Sequence, residues 1–278
     1  NSPHRLLAEG LRRRTRSTPL LVFCAENHRS APELLETAVL EAVPVEERSD
    51  VTTRARYVDT VIGKLSGVIT DKAELAQHDL VPITSAIPAA FLVEEFNRIL
   101  VSRAGEGLHP GMPVLREVDD LAPFEDAKLL GLNATHALAG FLGSLMGLTQ
   151  VADLRKVAGA MTFLRAAFLD ESGATLRRRW AGADELFTEA GYADFADDLL
   201  ARTVNPWLAD TIERAGRDPR RKLGWDDRLI GLVRMGLVQG VATPRYAMGV
   251  AAGLDILRDE GASGGDPELL RTCWPDDV

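Results

Sequence analysis

Apolar residues stand at helical spacing at the start of the chain, where Leu6, Leu7 and Leu11 sit among arginines, and then close up into the uninterrupted run "PLLVFC". The spacing predicts a helix over residues 3–16 and the run predicts a buried strand after it, which together make half of an α/β unit. That strand stops at Glu26 and Asn27, polar residues at the carboxyl end where open α/β sheets place their ligands. A second helix is predicted over 31–43. Between 51 and 101, "RYVDTVIGKL" and "FLVEEFNRILV" carry the β-branched and aromatic residues of strands. Glycine and proline then punctuate "SRAGEGLHPGMPVL", and from about residue 117 the apolar periods lengthen into those of a helical bundle.

Within the bundle, Gly140, Gly143 and Gly147 line one helix, where small residues permit a neighbouring backbone to come close. Asn205 before Pro206 is a helix-start signal, the asparagine as cap and the proline in the first turn. No internal repeat interrupts the pattern. The expected class is mainly α, with an α/β segment at the N-terminus and a few β-strands between about 50 and 101.

Composition changes this picture little. The 278 residues are 46% hydrophobic and 26% charged, enough to bury a sizeable core, and the net charge of -9 disfavours nucleic-acid and anionic-membrane partners. Cys24 and Cys273 stand far apart without CxxC spacing, which suits a reducing cytoplasm and argues against a disulfide framework or zinc knuckle. No stretch reaches the roughly 20 apolar residues of a membrane span, and no signal segment opens the chain. The chain begins at Asn1, already in helix-forming sequence, as a chain whose natural beginning lies upstream would.

Three stretches could carry chemistry. In "KLLGLNATH", Lys128, His136 and Asn133 project at about 0°, 80° and 140° on a helix, so all three can reach one cavity. A lysine buried there loses part of its affinity for a proton and approaches the range of a general base. On spacing alone, a surface lysine beside a hydrogen-bonded core asparagine and histidine is the commoner origin of such a triple. The second stretch, "NPWLADTIERAGRDPRRKL", is rich in arginine, which suits an anionic or polyhydroxylated ligand, or else a solvated helix end with Asp210, Glu213 and Asp218 as partners. The third is Asp59, a carboxylate between apolar neighbours. HExxH, P-loop, GxSxG and GxGxxG motifs are all absent.

Taken in order, these stretches resemble the polyol-specific long-chain dehydrogenases. The family signature K-x4-N-x2-H matches at Lys128, Asn133 and His136, the acid-Asn pair at Glu26-Asn27, and the Val-Asp at Val58-Asp59. The Asn-Pro helix start matches at Asn205-Pro206, and the Arg-x7-Lys pair at Arg214 and Lys222. "ESGATLRRR" and "DRLIG" look most like the mannitol-1-phosphate branch. The resemblance implies that residues 1–30 are the end of a Rossmann-type dinucleotide-binding domain and residues 31–278 a mainly helical substrate-binding and catalytic domain. It implies an NAD-dependent enzyme, NADP not being excluded, that interconverts a sugar alcohol and a ketose without a metal. Lys128 would be the general base. Asn133 and His136 would hold the reacting oxygen, and Asn27, Asp59, Arg214 and Lys222 would bind the rest of the polyol. Glu26 and Asn27 would also lie at the cofactor. Thr60 departs from the family pattern, which usually has arginine there. Two rival readings stay open: a hexuronate reductase of the same family, and a non-catalytic binding protein that keeps the pocket without the cofactor half.

Overall fold

The structure, a computed structural model, describes residues 2–26, 30–95 and 98–260. Six strands are found among them: β1 (Leu20–Cys24), β2 (Ala55–Ile62), β3 (Ser66–Ile69), β4 (Ala90–Val93), β5 (Ile99–Ser102) and β6 (Leu115–Val118). The chain divides into two compact units, Asn1–Lys64 with Glu95–Glu125, and Leu65–Glu94 with Asp126–Val278.

The first unit opens with α1 (Pro3–Arg12), which stops short of its predicted end. The Arg54 guanidinium closes it there, donating to the carbonyls of Leu11 and Arg12 at 2.8 Å each. After β1 the chain crosses through α2 (Ala31–Glu41) and α3 (Arg48–Thr53) to β2, which pairs parallel with β1. Parallel strands need such a crossover, which completes the α/β unit whose first half, α1 and β1, the spacing and the apolar run predicted. Ala8, Leu11, Val39, Val43, Val51 and Ala55 form its core. The sheet continues in the order β1-β2-β5-β6, with β2 and β5 antiparallel and β5 and β6 parallel. β6 was not predicted. Its four residues "LREV" are too few to show an alternation, and pairing with β5 is what makes them a strand.

The second unit holds the hairpin-like pair β3-β4, antiparallel, with α4 (Lys72–Gln77) between them. Beyond α5 (Ala122–Asp126) it is helical, as expected. A π-helical segment, Ala127–Asn133, leads into α6 (Ala134–Leu145); a second, Ala167–Gly173, links α7 (Ala160–Ala166) to α8 (Ala174–Arg179). Then follow α9 (Glu189–Thr203), α10 (Ile212–Gly216), α11 (Pro219–Lys222), α12 (Ile230–Gln239) and α13 (Pro244–Glu260). The largest core cluster lies here, around Phe141, Phe168, Tyr192 and Tyr246, each 1% exposed or less. Among the described residues no helix is long and apolar enough to cross a membrane.

The predicted glycine approach is present. A Cβ on Gly140 would lie 2.5 Å from the Ala215 carbonyl carbon, and one on Gly143 would run into the Ile212 side chain, so α10 rests directly on α6. Gly147 instead takes a left-handed φ of 67° just past the end of α6.

Candidate active site

The site in the second unit begins with the π turn. Its hydrogen bonds run from i to i+5, so residues five apart come to stand over one another, whereas an α-helix sets them far round the axis. Lys128 and Asn133 are five apart and both lie in the π segment, whose i to i+5 register favours placing them on one face. The regular α spacing used for the sequence expectation had separated them by about 140°. Lys128, Asn133 and His136 are all half-buried.

His136 stands in the first turn of α6, and its Nε2 lies 2.7 Å from Oδ2 of Asp210. The other oxygen of Asp210 accepts from Arg214, 3.0 Å away. Burial would raise the Asp210 carboxyl, but the hydrogen bond and charge of His136, followed by Arg214, outweigh it and hold the group below the usual carboxylate range. Asp210 comes within reach because the Gly140 and Gly143 contact lays α10 along α6. Thr211 caps α10, its hydroxyl accepting from the Arg214 N–H at 3.1 Å, and this fixes where Arg214 leaves the helix. Sequence reasoning had placed Asp210 among surface partners. Its link to His136, 74 residues away, has no local signature.

Lys222, expected at the substrate, is only 4% exposed. Its Nζ donates to the Ala215 carbonyl at 2.7 Å, at the end of α10, with the Phe141 ring centroid 6.0 Å away. Burial lowers this lysine to about 8, with Arg228, Arg221 and Arg217 adding to the shift and Asp218 opposing it. Asn205 does cap the turn at Pro206–Leu208, accepting from the Trp207 N–H at 3.1 Å. A cavity of about 590 Å³ opens beside α10, lined by Ser144, Ile212, Glu213, Arg217, Arg220 and Leu257 among others, and none of the Lys-Asn-His triple borders it.

Asp59 and Glu26 belong to the first unit. Asp59 is half-buried on β2 opposite Cys24, and its Oδ1 accepts from the Thr60 N–H at 2.7 Å. Thr60, which replaces the usual arginine, is buried and donates to the Cys24 carbonyl at 2.8 Å, so this position ties two strands together and extends no charge. Burial pushes the Cys24 thiol up, with the charges of Asp59 and Glu33 adding to the effect, which leaves it a poor nucleophile. Glu26 is exposed just past β1, and Asn27 lies outside the described residues. Among the described residues no three His, Cys, Asp or Glu side chains are grouped to hold a metal ion.

The mainly helical second unit agrees with the comparisons. Residues 120–270 match the mannitol dehydrogenase C-terminal domain family, and the chain belongs to it. Two solved structures share the fold. A D-sorbitol dehydrogenase in substrate-free form superposes with a TM-score of 0.73 at 20% identity, over 96% of this chain and 53% of its own. The Pseudomonas fluorescens mannitol 2-dehydrogenase, in a ternary complex with NAD and D-mannitol, gives 0.68 at 20% identity, over 92% of this chain and 51% of its own. This chain thus spans about half the length of either enzyme.

Proposed function

We propose that this chain forms the substrate-side part of a cytoplasmic, nicotinamide-dependent polyol dehydrogenase that interconverts a secondary alcohol and a ketone. The pairs mannitol 1-phosphate and fructose 6-phosphate, or mannitol and fructose, are its substrates. One observation carries the reading: a π segment containing both Lys128 and Asn133 leads into α6, where His136 is anchored on Asp210. In this reading residues 1–30 are the end of a dinucleotide-binding domain, and 31–278 supply the catalytic and substrate-binding groups.

Lys128 removes the hydroxyl proton during oxidation and returns it during reduction. Asn133 donates from its amide to the same oxygen and stabilises the charge that develops there. His136, steadied by Asp210, holds that oxygen from a third direction. Arg214 has N–H groups left after its bond to Asp210, and these bind remaining hydroxyls or a phosphate. Lys222 serves that end through α10, whose terminal carbonyl it holds. A nicotinamide, when bound, would supply hydride transfer at the same carbon. The sequence has no GxGxxG motif for its phosphates, and in this reading Glu26 and Asn27 lie at the cofactor.

Full-length protein incubated with NAD or NADP and mannitol, mannitol 1-phosphate, sorbitol, fructose 6-phosphate or fructuronate tests this reading by the absorbance of the reduced nicotinamide. Turnover of a polyol or ketose is expected. Turnover of fructuronate alone would replace the reading with a hexuronate reductase, and silence across the panel would reject it.

A further inference from the structure

The π segment that carries Lys128 and Asn133 is held through its buried residues Leu130 and Gly131. Where i to i+5 bonding gives way to i to i+4 bonding, the backbone skips an acceptor, and a buried carbonyl left over needs a donor from elsewhere. Ser172 supplies one. Its hydroxyl, fully buried, donates to the Leu130 carbonyl at 2.9 Å, in the middle of the π segment. A serine has one proton to give, so the 3.1 Å contact between Ser172 and Tyr192 must run the other way, with the Tyr192 hydroxyl donating to Ser172. The result is a directed relay from Tyr192 through Ser172 to Leu130.

Ser172 itself lies in the second π segment, and glycine makes the approach of the two segments possible. A Cβ on Gly131 would lie 3.0 Å from both the Phe168 ring and the Tyr192 hydroxyl, and one on Gly173 would lie 2.7 Å from the Tyr192 ring. The residue before Ser172, Glu171, is also buried. Its carboxylate accepts from the N–H groups of Arg245 and Tyr246 at 3.0 to 3.1 Å and so caps α13. Tyr246 then sets its hydroxyl 2.6 Å from Thr135, between Asn133 and His136. On the N-terminal side of the π segment, buried Asp126 accepts from Trp180 Nε1 at 2.9 Å.

We propose that Ser172 is a positioning residue for the polyol reaction: by binding the Leu130 carbonyl it fixes the π turn and so the five-residue register that sets Lys128 beside Asn133. This rests on the reading of Lys128 and Asn133 as the reacting groups. Ser172 touches no substrate, and its effect reaches the chemistry only through the backbone.

The test compares Ser172→Ala, Ser172→Cys and Thr175→Val in the full-length protein by amide hydrogen exchange over residues 127–136 and by kinetics. Thr175 is the matched control, a fully buried hydroxyl three residues on that has no hydrogen-bond partner. Ser172→Ala is expected to speed exchange over 127–136 about tenfold while helices away from the two π segments exchange as before. It should lower kcat for polyol oxidation at least tenfold with KM changed less than twofold, and shift the low-pH limb of the kcat profile. Ser172→Cys, similar in shape with a weak donor, should recover at least a third of the lost rate, and Thr175→Val should behave as the unsubstituted protein. Unchanged exchange over 127–136 in Ser172→Ala, or equal acceleration in Thr175→Val, would overturn the proposal. If the unsubstituted protein turns over no polyol, the functional reading fails, and the exchange measurements still decide whether Ser172 holds the turn.

Discussion

His136 and Asp210, 74 positions apart in sequence, meet at 2.7 Å because two glycines let α10 lie against α6. The pair orders the imidazole: one ring nitrogen is bound to a carboxylate, which Arg214 holds in turn, and ring orientation follows from that bond. Asp210→Asn keeps the volume and removes the charge. It should lower kcat by about 100-fold, the lower end of general acid–base contributions. Steady-state kinetics near neutral pH check this, and kcat within twofold of the unsubstituted enzyme would show that His136 needs no anchor.

The glycine contact itself can be tested. At Gly140 an added methyl meets the backbone of Ala215, not a side chain that could swing aside, so α10 must move. Gly140→Ala should destabilise by about 1–3 kcal/mol, as overpacking does, and should lose activity with it through the His136–Asp210 bond. Gly10→Ala is the contrast, since nothing lies within 4 Å of its added methyl in α1. It should stabilise by about 0.5–1 kcal/mol. Urea unfolding of both variants decides, and equal effects at the two positions would remove the close-approach argument.

Asn133 gives a sharper test of the chemistry. An amide that donates to developing negative charge contributes mainly in the transition state, so Asn133→Ala should cut kcat by about 10²–10³ with a small change in KM. Lys128→Ala should cost about 10²–10⁴ in polyol oxidation, with the low-pH limb that reports the base abolished. A loss confined to KM in either variant would assign that residue to substrate binding alone.

Much of this was legible in the sequence, and the parts that were not share a physical cause. The α1-β1 unit showed itself in spacing and in an apolar run, because both reflect burial against near neighbours. The Asn205 cap and the glycine face of α6 were equally local. The π turn was not visible: it inserts one residue into a helical period, and over nine residues an inserted position cannot be told from scatter. Asp210 was misjudged for a different reason. Its i,i+4 pairing with Arg214 is readable on a helix and suggests a solvated surface, whereas its 12% side-chain exposure comes from α6, far away in sequence. Lys222 was expected at the substrate, and its burial against the Ala215 carbonyl likewise comes from packing that the sequence does not show.

That burial gives Lys222 a pH signature. Burial together with Arg228, Arg221 and Arg217 lowers the amine from 10.5 to about 8. In the unfolded chain it keeps its proton to its ordinary value, so between about 8 and 10.5 the unfolded state binds more protons than the folded one, and stability rises with pH across that window. Below about 8 both states carry the charge and the full cost of burying it persists. Lys222→Met is uncharged throughout and removes this dependence while leaving every other titrating group in place. The stability of the unsubstituted protein relative to Lys222→Met should therefore grow by about 2 kcal/mol between pH 7 and pH 10. Urea unfolding of the two proteins at both pH values measures it. A difference that stays flat would mean that the amine keeps its proton in the fold, with the Ala215 carbonyl compensating the buried charge.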